Sequence, residues 1–135
     1  METKTNIALV TGGSRGLGRD MVLSLAKKGN NIIFTYHTNT VEADKVVAEV
    51  LALGQKAIAY PLDTSKVDTF DAFVEKVSQH LQKHEGSPNF DFLINNAGTG
   101  VYGSVTDTTE EAFDNMMNIH FKGVYFLTQK LLQIF

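Results

Sequence analysis

"TGGSRGLG", residues 11–18, places four glycines in eight positions directly after the apolar run "IALV" (7–10). Glycine is costly to order, so such a cluster marks backbone that must turn tightly or be approached closely. Downstream, Leu17, Met21, Val22, Leu25 and Ala26 recur at helical spacing, and Gly29 offers a stop. Strand, glycine-rich turn and helix start, in that order, make an anion site, because the unpaired N–H groups of the first helical turn and the helix dipole both favour negative charge. Gly12 and Gly16 permit the turn and the close approach of a diphosphate, and Gly18 lets the helix pack tightly against the sheet. The spacing G-x-x-x-G-x-G differs from the commonest dinucleotide fingerprint and lacks the Gly-Lys-Ser/Thr ending of a triphosphate loop.

Outward from this turn the same alternation continues. "NIIFTY" (31–36), "KAIAYPLD" (56–63) and "FDFLIN" (90–95) read as further strands. Between them, Val46, Val47, Val50 and Leu51 form one helical face, ending at Gly54. Val67, Phe70, Val74, Val77 and Leu81 form another, which Ser65 is placed to cap and Gly86 to end. Thr108 and Glu111 make a T-x-x-E capping box for a last helix reaching residue 135. The order β-α-β-α-β-α-β-α predicts one α/β domain over 1–135, a Rossmann-type doubly wound parallel sheet that lacks strands after the fourth.

Bulk properties narrow the function classes. The 135 residues suit one domain, with 43% apolar and 20% charged residues. Twelve basic against fifteen acidic residues give a net charge of −3, which argues against a surface tracking nucleic acid phosphates. Without cysteine there are no disulfides, thiolate metal sites or thiol catalysis. No stretch reaches the roughly 18 apolar residues of a membrane helix, and the N-terminus lacks a signal-peptide pattern, so the expectation is a cytoplasmic protein. His80 and His84 stand one helical turn apart, but without a suitably spaced third ligand they predict a solvated face rather than a metal site. Met116 and Met117 read as packing residues.

The chain resembles the short-chain dehydrogenase/reductase family, whose cofactor turn Thr-Gly-x-x-x-Gly-x-Gly is matched by Thr11, Gly12, Gly16 and Gly18. Asp63 after the third strand, "NNAG" (95–98) after the fourth and Asn118 in "NIHFKG" match in order. The resemblance implies nicotinamide cofactor contacts from the turn (Ser14, Arg15 and Leu17 included), an adenine contact from Asp63 flanked by Leu62 and Thr64, and a ribose-side wall from Asn95, Ala97 and Gly98. Asp63 equally suits a helix cap. Asn118 is a polar residue in an otherwise apolar helix. The family uses an Asn-Ser-Tyr-Lys tetrad, in which this asparagine helps hold a water; a solvated asparagine is the plain alternative.

An NAD-selective site places a carboxylate about twenty residues beyond the glycines, to grip a ribose hydroxyl. That place falls on Tyr36, His37 and Thr38, with Asn39 following, and holds no acid. Arg15 offers a bidentate grip on a 2′-phosphate, and in the family a basic residue there goes with NADP, so NADP(H) is expected over NAD(H), with Tyr36, His37 and Thr38 as further contacts. Arg15 also suits a plain exposed helix start.

The family's hydride transfer to or from a carbonyl or alcohol needs a Tyr-x-x-x-Lys pair, and none of the tyrosines here has a lysine at that offset. The chain therefore reads as the cofactor-binding half of a longer NADP-dependent reductase acting on a small molecule, inactive by itself; the alternative is a stand-alone nucleotide-binding module. An apolar last helix and an open fourth strand predict oligomerisation or association.

Overall fold

The computed structural model describes residues 4–135. Four parallel strands, β1 (Ile7–Val10), β2 (Asn31–Tyr36), β3 (Ala57–Pro61) and β4 (Phe92–Ile94), lie in the order β3-β2-β1-β4. The order reverses direction between β1 and β4. Loops leaving the carboxyl ends of those strands diverge there and open a crevice.

Strand alternation sorts the core into two layers. Ile7, Leu9 and Ile33 face one side, where they bury against Phe70, Phe73 and Val77 of α3 (Phe70–His80) and against Leu127 and Leu131 of α5 (Val124–Leu131). Ala8, Val10, Ile32 and Phe34 face the other. There they meet Val22 and Ala26 of α1 (Gly16–Lys27), and Ala43, Val46 and Val50 of α2 (Thr40–Ala52). Both faces of β1 and β2 are covered, which is why these strands are apolar at almost every position. Pro61 ends β3, an edge strand, where a missing N–H costs least.

Two caps differ from the sequence expectation. Ser65 does not cap α3: its N–H and hydroxyl both donate to Asp63 Oδ1, at 2.9 and 2.6 Å. The chain then makes a 3-10 turn (Val67–Thr69) before α3 begins. The last helix starts one residue later than the T-x-x-E pattern indicates. Thr109, not Thr108, accepts from the Ala112 N–H at 3.1 Å, while the Thr108 hydroxyl is spent on the Ser104 carbonyl. That helix runs through α4 (Glu110–Met117), a π turn (Asn118–Gly123) and α5.

At the opposite end of the sheet, His80 is not solvated. Its side chain is 14% exposed, 3.8 Å from Glu85 and stacked on His84 with ring centres 5.0 Å apart. Nearby Asn31 is buried and donates to Glu85 at 2.9 Å. Met117 is exposed rather than packed.

Candidate functional site

The glycine turn is bolted to the loop after β4. Thr11 is buried, and its hydroxyl accepts the N–H groups of Asn96 and Ala97 at 3.0 and 2.9 Å. In return the Asn96 amide donates to the carbonyls of Thr11 and Gly12, at 3.2 and 3.0 Å. From the other side Thr35 of β2 accepts the Gly12 N–H on its hydroxyl at 3.1 Å and the Gly13 N–H on its carbonyl at 2.9 Å. The end of β2 and the loop after β4 thus each fasten the turn more than once, and it cannot shift without breaking several bonds.

The glycines have separable reasons. Gly12 has φ +70°, and a Cβ on it would meet the Ala97 backbone at 2.9 Å. Gly18 lies directly against the Gly12 carbonyl, so no side chain fits. Gly16, at φ +58°, has nothing within 4 Å of a notional Cβ and faces open space. The helix behind it begins without a side-chain cap on its N-cap residue Arg15, whereas α2 and α4 are capped by Asn39 and Thr109. Its first N–H groups are left for another acceptor, and the space they face is bare. These are the requirements of a diphosphate, and the residues fit it.

A cleft of about 510 Å³ opens from this point. It is lined by Gly12, Ser14, Arg15, Gly16, Leu17 and Gly18 of the turn, by Tyr36 and His37 after β2, and by Leu62, Asp63 and Thr64 after β3. Ala97, Gly98 and Thr99 close the β4 end, with Asn115 and Ile119 from the last helix. Most of the residues singled out from the sequence therefore meet at one cleft. Thr11 stands behind it as a fastener. Thr38, Asn95 and Asn118 do not line it. The Asn95 amide turns instead to the Thr128 hydroxyl at 3.2 Å, and Asn118 lines an adjoining depression, which shares Asn115 with the cleft.

Charge in the cleft is mixed. No carboxylate among the described residues lies within ion-pair distance of Arg15. The His37 ring stands 3.5 Å from Asp63. Burial pushes the Asp63 carboxyl up, but the hydrogen bonds from Ser65 and the charges of His37 and Lys66 outweigh it and hold it below the ordinary range. Asp63 is thus both a turn-former and a cleft residue.

Thr35, Asn115, Ile119 and His120 (which touches the Thr99 backbone) were not singled out from the sequence. Thr35 carries a weak signal, as the polar residue inside "NIIFTY". The helix residues carry none: Asn115 lies in α4, and Ile119 and His120 lie in a π turn that no local pattern encodes.

The sequence profile of the short chain dehydrogenase family matches residues 6–135. The tetrahydroxynaphthalene reductase PfmaG of Pestalotiopsis fici is 39% identical over 127 residues, covering 94% of this chain and 44% of that protein. A short chain dehydrogenase from Burkholderia cenocepacia, solved in complex with NADP, superposes with TM-score 0.87 and 32% identity, over 97% of this chain and 51% of that one. A 3-oxoacyl-[acyl-carrier protein] reductase from Brucella melitensis, solved with NAD, superposes with TM-score 0.85 and 32% identity, over 98% and 50%. The chain spans about half the length of the proteins it matches.

Proposed function

Because the chain belongs to the short-chain dehydrogenase family, we propose that it is the cofactor-binding half of an NADP(H)-dependent oxidoreductase that moves a hydride between nicotinamide and a small carbonyl or alcohol. The observation that carries this reading is the uncapped start of α1, opening on bare space at Gly16 inside a turn fastened from β1, β2 and β4. A bound nicotinamide dinucleotide would supply or accept the hydride. The chain's own part is to bind and orient. The N–H groups of the turn hold the diphosphate, Leu62, Asp63 and Thr64 border the adenine, and Ala97 and Gly98 wall the β4 end. The water-holding role that the resemblance implies for Asn118 belongs to the same proposal, since Asn118 lines a depression that shares Asn115 with the cleft.

The NADP preference is supported by Arg15, free of carboxylates among the described residues, and by the lack of an acid at 36–39, where a carboxylate would repel a 2′-phosphate. Self-association belongs to the same proposal. Phe113, Met117, Phe121 and Tyr125 recur every fourth residue along the last helix and are exposed.

Titration of the chain with NADPH and NADH tests the cofactor assignment. NADPH binds more tightly, and Arg15→Ala closes the gap by about tenfold or more, the worth of a charge-assisted hydrogen bond. Equal affinities in the unaltered chain would overturn the role of Arg15, and binding of neither would overturn the nucleotide reading.

A further inference from the structure

On the last helix Asn115 and Ile119 line the cleft, and the next residue, His120, reaches the loop that closes its β4 end. Its Nε2 lies 2.6 Å from the Thr99 carbonyl oxygen. The Thr99 N–H also faces Nε2, at 3.4 Å. One ring nitrogen cannot donate and accept at once, so the shorter contact assigns the hydrogen to Nε2, donating to the carbonyl. The ring also stands against Gly98. A Cβ there would lie 2.5 Å from Cε1 and 3.2 Å from Nδ1, so the bare glycine and the imidazole are matched in shape. Asn118, two residues earlier, lines the adjoining depression rather than the cleft itself. The intervening backbone is the π turn, whose wider winding moves residues around the helix relative to an α-helical count.

The two ends of the cleft differ. Tyr36, His37, Leu62 and Asp63 form the end over β2 and β3, and Asn96 to Thr99 the end over β4. A dinucleotide lies across the reversal of strand order with one half on each side, and the adenosine ribose is read about twenty residues beyond the glycines, at the end of β2. The β4 end is therefore left for the nicotinamide half.

We propose that His120 is the positioning residue for the nicotinamide end of this site. Its Nε2–H pins the Thr99 carbonyl, and with it the backbone from Gly98, at the height where the nicotinamide half must fit. The inference rests on the nucleotide reading above and goes beyond it by naming which half of the ligand depends on this side chain.

The test compares two ligands on the full chain: NADPH, and adenosine 2′,5′-bisphosphate, which has no nicotinamide half. His120→Ala is expected to weaken NADPH by about tenfold, the upper worth of one neutral hydrogen bond. It leaves the bisphosphate within about twofold, as expected for a site on the far side of the cleft. His120→Gln, which keeps an amide donor at similar reach, restores most of the loss. Gly98→Ala drives a Cβ into the imidazole and gives the same selective loss by a second route, which serves if His120→Ala fails to fold. Equal weakening of both ligands, no weakening of NADPH, or no rescue by glutamine would overturn the role of His120. Failure of the unaltered chain to bind either ligand would instead overturn the nucleotide reading, and this inference with it.

Discussion

Thr35 supports the glycine turn from beneath with two acceptors, its hydroxyl for Gly12 and its carbonyl for Gly13. The residue is 1% exposed, so water cannot replace it. Thr35→Val keeps the shape and removes one acceptor, leaving the Gly12 N–H unpaired at a cost of about 1–3 kcal/mol. Urea unfolding is expected to show an earlier midpoint with an unchanged slope, and Thr35→Ser to recover most of it. A midpoint unmoved by Thr35→Val would mean that the hydroxyl does not carry the turn. Arg15 differs in kind. It makes no fastening, so its replacement is expected to change ligand preference and leave stability almost untouched.

At the level of elements, the end of α3 carries an acid-sensitive joint. The His80 imidazole is held below its ordinary value, first by burial, then by repulsion from His84 and Lys56, with Glu85 pulling the other way. A depressed base binds its proton less readily folded than unfolded. Stability is therefore full above the ordinary histidine value of about 6.5 and erodes as pH falls through it towards the folded value. Asp63 and Asp91 are depressed carboxyls. In both, burial pushes up and hydrogen bonds outweigh it, from Ser65 at Asp63 and from Lys4 and the Ile7 N–H at Asp91. Their stability is full above about 3.9 and is lost at lower pH, so the window from about 7 to 5 belongs to His80 rather than to them. Melting temperatures across that window are expected to fall with pH, and His80→Gln to flatten the profile. An unchanged slope in the variant would place the acid sensitivity elsewhere. A pair of histidines at helical spacing reads as a solvated face in one dimension; only the packing of the π turn (Leu81–Glu85) over Asn31 buries one of them.

At the scale of the whole molecule, the exposed apolar stripe on the last helix and the edge strand β4, whose Phe92 is 45% exposed, leave apolar surface without cover among the described residues. Residues 1–135 are expected to sediment as dimers or larger species at micromolar concentration; a monodisperse monomer would count against association through these surfaces. The same material is expected to bind NADPH without oxidising it when a carbonyl compound is added, because no Tyr-x-x-x-Lys pair is present to transfer the proton. Carbonyl-dependent loss of absorbance at the nicotinamide band by pure material would refute that.

What the order of residues determined by itself is local and periodic. Apolar runs dictate the strands, glycine spacing dictates a turn that only bare backbone can make, and residues 36–39 hold no acid. These follow from constraints acting within a few residues of chain. The tertiary structure decided what depends on which groups meet. Asn96 fastens the turn while Asn95 leaves for Thr128. Ser65 serves Asp63 rather than α3. Within the π turn His120 meets Thr99, while Asn118 lines the depression beside the cleft. Neighbouring residues of one type differ there only in the direction their side chains take. That direction is set by partners up to some eighty residues away in the chain, as between Thr11 and Asn96, and by a change in helical winding that no local pattern encodes.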